Sequence, residues 1–328
     1  MSSDVTRLGH SSQVILRLAF GCEQLGGYEW GAVDPHEIAA AIELAIGQGV
    51  TLFDTADCYG RGESERWLGR MLAPHRERVI LATKFGVRFS DSGSVWYDSS
   101  PQWAQQALDA SLTRLGTETV DLLQMHYWDR VTPLHALFDR LERLRERSKL
   151  RWYGITNHVP DNIVPRDYPG LVSASLEYSL VERTHERAAQ QLTGGGLTFL
   201  AYGSLGQGIL SGKYRAGDRF GAGDRRSHPR YGNFHGERFV RNAQIVEVLR
   251  SQARELGASP SQLALAWVLH GIPESVALVG IKRADQLRDA LGALRLSLPR
   301  ATLAALDEAS AGAGAGAGAG TGPGAATP

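Results

Sequence analysis

Apolar runs of four to six residues alternate with longer stretches whose apolar positions recur at helical spacing, almost to the end of the chain. The runs at 15–20, 49–53, 79–84, 121–126, 151–156, 171–176, 197–202 and 275–280 predict eight strands. Helices are predicted over 34–47, 63–72, 100–112, 134–147, 182–192, 237–256, 261–270 and 284–291. The first opens on Asp34 with Pro35 at its first helical position and closes on Gly47. The second shows Trp67, Leu68, Met71 and Leu72 on one face, and the third opens on Ser100-Pro101. Strands that alternate with helices require a parallel sheet with the helices outside it. Eight such units favour closure into a (β/α)8 TIM barrel over an open doubly wound sheet of five or six strands.

Two stretches break the rhythm. Residues 215–236 are rich in Gly, Arg, Asp and His, too polar for a core and too long for an ordinary connection, and predict a mobile loop over the active face. Residues 311–328 are largely an alternation of Ala and Gly that cannot bury enough surface to offset its chain entropy. The expected organisation is therefore one barrel domain over 1–310 and a disordered tail over 311–328.

Composition removes several classes of function. Acidic and basic residues balance at 35 each among 328, which disfavours a nucleic-acid or membrane-surface partner. The two cysteines, Cys22 and Cys58, have neither metal-ligand spacing nor a partner set, and Cys58 is read as a packing residue. The N-terminus lacks an apolar signal core and no segment reaches a membrane span of about 20 apolar residues, so a cytoplasmic protein without a metal is expected.

Four ionisable groups sit at or just past the ends of three successive predicted strands: Asp54 and Tyr59, Lys84, and His126. In a parallel barrel those ends converge on one face. The set suits transfer of a hydride to a carbonyl carbon, because the developing oxyanion needs a proton donor. A tyrosine, titrating ordinarily near ~10, becomes a better acid beside an ammonium. Lys84 supplies that ammonium, Asp54 a carboxylate to hold it, and His126 an imidazole to orient the carbonyl or share the proton.

Phe53-Asp-Thr-Ala-Asp-Cys-Tyr-Gly60 with Glu63-Ser-Glu65, Ala82-Thr-Lys-Phe-Gly86, Asp121-Leu-Leu-Gln-Met-His126 and Gly154-Ile-Thr-Asn157 resemble the aldo-keto reductases. So do Ala201-Tyr-Gly-Ser-Leu-Gly-Gln-Gly-Ile-Leu-Ser-Gly-Lys213 and Val279-Gly-Ile-Lys-Arg-Ala-Asp-Gln-Leu287. The resemblance runs in order from about residue 7 to 308. The longer form, with a polar loop after the seventh strand, is similar to the bacterial oxidoreductases and potassium-channel β-subunits of that superfamily.

The resemblance implies a barrel with NADPH across its C-terminal face, NADH being the alternative cofactor, and a small-molecule carbonyl as substrate. By motif, Tyr59 would donate the proton, Lys84 and Asp54 tune it, and His126 orient the substrate. Tyr202 would stack on the nicotinamide and Asn157 bind its carboxamide, with Thr156 and Ser175 beside them in the family's cofactor motifs. Gly203, Ser204, Leu205 and Gln207 fall where the family cradles the pyrophosphate, and Gly280, Lys282, Arg283 and Gln286 where it holds the adenosine phosphate. Two cations at the start of a helix suit a 2′-phosphate. Thr156, Ser175, Gly203 and Ala290 depart from the usual Ser, Gln, Ser and Asn, which weakens the expected preference for NADPH. Trp30, Trp96, Tyr97, Tyr127 and Trp128 lie just past predicted strands and would line a substrate pocket. The rival functions are a redox-sensing regulatory subunit that binds NADPH with little turnover, and a lyase or isomerase using Lys84 as a Schiff base.

Overall fold

A computed structural model of the protein describes residues 4–27, 33–158, 164–215, 217–221, 223–229 and 231–314. Eight parallel strands close into a barrel: β3 (Leu18–Gly21), β4 (Leu52–Asp54), β5 (Ile80–Phe85), β8 (Val120–Met125), β9 (Leu150–Thr156), β10 (Leu171–Glu177), β11 (Thr198–Tyr202) and β12 (Val276–Gly280). Each pairs with its predecessor in the chain, and β12 closes on β3. The helices are α1 (Pro35–Gly47), α2 (Glu63–Leu72), α3 (Pro101–Leu115), α4 (Leu134–Glu146), α5 (Glu186–Gly194), α6 (Gly236–Glu255), α7 (Pro260–Gly271), α8 (Ala284–Gly292) and α9 (Arg300–Ala309). No helix among the described residues is long and apolar enough to cross a membrane.

Two cores follow from the alternation of strand side chains between faces. Outward positions such as Phe53, Leu81, Leu123 and Ile155 pack against the helices. Inward positions Ala19, Leu52, Ile80, Ala82, Leu122, Val172, Leu200, Val276 and Leu278 fill the barrel. Its lower end is stopped by Leu8 and Ile15 of a hairpin formed by β1 (Val5–Arg7) and β2 (Val14–Leu16). The same inward rows turn polar at their C-terminal ends, where Asp54 follows Leu52, Lys84 follows Ala82 and Gln124 follows Leu122. The barrel is therefore an apolar plug with a polar lid.

Several expectations change. The run at 15–20 is two strands, broken at Arg17. The Arg17 side chain turns under the barrel and donates to the carbonyls of Ser275 (2.9 Å), Ile272 (3.2 Å) and Leu269 (2.5 Å), so the charge is satisfied by the C-terminal end of α7 and the turn beyond it. The stretch after β5, read as a loop, contains a second hairpin of β6 (Val87–Phe89) and β7 (Val95–Tyr97). Helix α5 starts at Glu186 rather than 182, because Ser179 and Glu182 bridge and the Glu182 carboxylate accepts from Thr184 N–H (3.1 Å) and Arg238 (2.9 Å). Between β9 and β10 the described residues form only the short 3-10 turn Pro165–Asp167, so that strand is not followed there by a helix. α9 was not predicted.

The stretch at 215–236 is anchored by rings that its average polarity hid. Phe220 and Phe234 meet Tyr214 and each other edge to face, with centroids 5.1–5.6 Å apart. Arg225 reaches Glu23 across the barrel mouth at 2.7 Å. At the end of the barrel, Ala313 is buried and its carbonyl accepts from Arg183 N–H at 3.1 Å, so the ordered chain runs four residues past 310. The remainder of the tail expected at 311–328 lies outside the described residues.

Candidate active site

The polar lid is built by strand register. Asp54 ends β4 and pairs in register with Ala82, while Lys84 of β5 is in register with Gln124 of β8. Lys84 Nζ donates to Asp54 Oδ1, to the Thr55 carbonyl (2.9 Å) and to the Tyr59 hydroxyl (3.4 Å). Gln124 Nε2 donates to the other Asp54 oxygen at 2.8 Å. Asp54, Lys84, Gln124 and His126 are all buried. A buried ammonium costs several kcal/mol unless paired, and here carboxylate, carbonyl and phenol share it.

Tyr59 stands on the turn after β4. That turn is stitched by Thr55 N–H to the Ala82 carbonyl (2.9 Å) and Asp57 N–H to the Lys84 carbonyl (3.2 Å). Gly60, in the left-handed region at φ 57°, brings the backbone against Gly26, where a Cβ would lie 2.6 Å from Gly26 Cα, 2.8 Å from its carbonyl carbon and closer still to the carbonyl oxygen. Only glycine fits there, which explains the residue that follows Tyr59.

His126 follows β8, its N–H donating to the Phe85 carbonyl at 2.8 Å. Its carbonyl is latched by Thr156 Oγ1 (2.5 Å) and Asn157 Nδ2 (3.0 Å). Tyr127 stacks on its ring at 4.9 Å and 24°, and Tyr59 meets it edge-on at 5.9 Å and 86°. Burial first and the charge of Lys84 second hold its imidazole well below the usual histidine range, so it is neutral at pH 7.

The tyrosine corrects one expectation. Lys84 was expected to draw the phenol toward neutrality. Instead burial, then Glu23 and Asp54, push it well above the ordinary phenol range. The Asp54 carboxylate opposes the pull of Lys84 on the phenol. Tyr59 therefore carries its proton throughout the neutral range.

The residues expected around a cofactor divide into those that face one another and those already spent on the fold. Tyr202 O–H donates to Asn157 Oδ1 at 2.5 Å, which ties β11 through Asn157 to His126. Thr156 and Ser175 are buried, and their hydroxyls donate inside the sheet, Ser175 to the Leu200 carbonyl at 2.8 Å. Ser204 Oγ likewise donates to the Ala201 carbonyl at 2.7 Å. Gly203, at φ 63°, turns the chain after β11, and half-buried Leu205 packs on the outer core. Gln207 donates to Glu177 at 3.0 Å and accepts from Asn233 at 2.6 Å, so its carboxamide braces the loop. Gly280 ends β12 beside Gln24, and Gln286 Oε1 accepts from Lys282 N–H at 2.8 Å. Arg283 is exposed and paired with Asp285 (2.8 and 2.9 Å).

Lys282 does not stand alone. Lys213 and Arg226, which sequence reasoning did not single out, lie close enough that burial and mutual repulsion hold both lysines below their usual range. For Lys213 the repelling charges are Arg226 and Arg283; for Lys282 they are Arg226, Lys213 and Arg283. Four cations crowd beside Asp224 and Asp285 at the open ends of β11 and β12. No signal in one sequence reports that Arg226, on a polar loop, returns to Lys282.

The expected pocket aromatics behave unevenly. Trp30 lies outside the described residues. Trp96 and Tyr97 are neighbours in β7 and must point oppositely. Tyr97 stacks on Tyr127 at 4.7 Å, extending the ladder that begins at His126, whereas Trp96 is exposed and takes the Arg88 guanidinium at 5.1 Å. Trp96 is thus on the far face of the hairpin from the tetrad. Trp128 stacks on His158 at 4.7 Å and donates to the Thr132 carbonyl at 2.8 Å. Gln124 was missed, although a polar side chain two residues before His126 in an apolar strand marks the same inward face. A cavity of about 550 Å³ at the opposite end of the barrel adjoins Arg17 and Glu274, far from this site.

Residues 17–311 match the aldo/keto reductase family. The chain belongs to that family. It is 30% identical over 94% of its length to aldo-keto reductase yakc, NADP(+), of Schizosaccharomyces pombe, covering 92% of that protein. It is also 30% identical to aldo-keto reductase YhdN of Bacillus subtilis, over 83% of this chain and 82% of that one. The glycerol dehydrogenase of Gluconobacter oxydans superposes with a TM-score of 0.84 at 30% identity, over 94% of this chain and 95% of that one. A Bacillus halodurans aldo-keto reductase at 23% identity shares the fold, with a TM-score of 0.74 over 94% and 96% of the two chains. The protein is an oxidoreductase of the aldo/keto reductase family, and carbonyl reduction is the general chemistry of that family.

Proposed function

We propose that the protein is a cytoplasmic, single-domain NADPH-dependent reductase of a small aldehyde or ketone, with Tyr59 as proton donor. One observation carries the reading: a buried ammonium, Lys84, bonded at once to a carboxylate and to the phenol of Tyr59, beside a neutral imidazole.

Tyr59 holds its proton until negative charge grows on a carbonyl oxygen beside it. The phenolate that remains is stabilised as it forms by the Lys84 N–H already aimed at its oxygen. Asp54, fixed by Gln124, holds the Lys84 side chain in place. Neutral His126 donates a ring N–H to the same oxygen and sets its direction, while the rings of Tyr127 and Tyr97 exclude water from one side.

The residues fit a dinucleotide. Lys213 is exposed and Lys282 half-buried, and each is repelled by neighbouring cations, a strain that phosphate would relieve. Lys213, Arg226, Lys282 and Arg283 would hold the phosphates, and Tyr202 with Asn157 the nicotinamide. The second phosphate of the adenosine ribose gives the crowded cations their preference for NADPH over NADH. Bound there, the cofactor supplies the hydride.

The test is NADPH consumption with a panel of small sugars, aryl aldehydes and ketones. Wild type turns over at least one class, and Tyr59→Phe lowers kcat by at least ~10²-fold while leaving NADPH binding intact. Equal rates for the two proteins would remove Tyr59 as the donor.

A further inference from the structure

We infer that the Cys58 thiol is a positioning residue for His126: its S–H donates to Nδ1 and holds the imidazole in the tautomer that carries its hydrogen on Nε2. The inference rests on the reductase reading, since there the ring nitrogen that faces the carbonyl oxygen must carry a hydrogen.

Cys58 immediately precedes Tyr59, so the turn that presents the phenol also presents the thiol. Its Sγ lies 3.4 Å from His126 Nδ1, within the range of a hydrogen bond to sulfur. Among the described residues it is the hydrogen-bond partner of that nitrogen. The ring cannot exchange its nitrogens cheaply, because Tyr127 covers its face, Tyr59 meets its edge, and its main chain is bonded on both sides to Phe85, Thr156 and Asn157.

Two arrangements of the pair are open: S–H to nitrogen, or N–H to sulfur. An imidazole lone pair is a good acceptor and a thiol sulfur a poor one, so the first is the stronger bond. It also needs a protonated thiol and a neutral ring, and burial favours both. With Nδ1 occupied as acceptor, the hydrogen of the neutral ring is on Nε2. The opposite tautomer would turn a lone pair toward the carbonyl oxygen and repel it. A fixed tautomer of this kind is worth more than the bond that fixes it, as in other imidazoles held by a second residue.

The test uses full-length protein labelled with ¹⁵N-histidine, His126 being assigned by the signal lost in His126→Gln. Wild type shows Nε2 protonated and Nδ1 as a hydrogen-bonded acceptor. Cys58→Ser preserves that pattern, and Cys58→Val, close in volume, loses the acceptor shift or mixes the tautomers. On the carbonyl that wild type reduces, Cys58→Val lowers kcat roughly 3- to 10-fold and Cys58→Ser restores it, with NADPH affinity unchanged as the measure of intact folding. A protonated Nδ1 in wild type, or unchanged His126 nitrogens in Cys58→Val, overturns the inference. The nitrogen spectra need no turnover, so absence of any reducible carbonyl would defeat the reductase reading while the tautomer is still decided.

Discussion

Asp54, Lys84 and Gln124 stand on β4, β5 and β8, buried and bonded to one another, with opposite charges matched one for one. Lys213, Arg226, Lys282 and Arg283 stand beyond β11 and β12 on loops, with Asp224 and Asp285 as the carboxylates beside them. The first group is complete as it is, because a charge inside the barrel must be satisfied by the fold itself. The second gathers cations on a half-solvated rim, where they repel one another and favour an anion.

The contrast breaks most sharply at Lys84. Lys84→Met leaves Asp54 buried without its cation, and should cost about 3–5 kcal/mol in urea unfolding as well as at least ~10²-fold in kcat. A variant as stable as wild type would show that the barrel does not need the pair.

Gly154→Ala sharpens it next. A Cβ on this inward position of β9 would run into Ser173 Oγ and lie 3.0 Å from the Ser173 carbonyl oxygen and 3.3 Å from Gln124 Cγ, so it displaces the serine and presses on the residue that holds Asp54. Unfolding stability should fall by about 1–3 kcal/mol, with kcat lowered as well.

On the rim, Lys213→Met or Lys282→Met should leave stability and kcat near wild type and weaken NADPH roughly tenfold in a fluorescence titration. NADH binding should change less than NADPH binding, because the smaller dinucleotide lacks one phosphate.

The smallest effect is an absence. His126 is shifted down from 6.5 and Tyr59 up from 10.0, so neither group titrates between those values. The kcat profile should be level across that window and fall only well below pH 6.5, where the imidazole charges, or well above pH 10, where the phenol loses its proton. The same sign holds for stability. His126 folds neutral, so its contribution is whole above pH 6.5 and declines as pH falls toward the lower folded value. A bell centred inside the window would mean that another group controls proton transfer.

What was legible beforehand was local or periodic. The eight barrel strands, the caps of α1 and α3 and the placement of Asp54, Tyr59, Lys84 and His126 at strand ends follow from patterns of two and 3.6 residues, which a chain displays whether folded or not. The run at 15–20 misled because one buried arginine interrupts an otherwise apolar stretch, and charge inside a run is invisible to an average. The ring cluster at Tyr214, Phe220 and Phe234 was hidden for the same reason. Trp96 and Tyr97 could not be told apart without knowing that they share a strand, since one step along it reverses the face.

The sequence by itself determined the barrel and the placement of four ionisable groups at one end of it, because alternation and strand order dictate which residues reach that end. Only the tertiary structure decided which partners those groups keep: Gln124 on Asp54, Cys58 on His126, and Arg226 beside Lys213 and Lys282. Those partners come from different strands and loops, and the physical reason is distance. A pKa, a tautomer or a surplus of charge depends on atoms a few ångströms apart in space, and separation along the chain carries no measure of that.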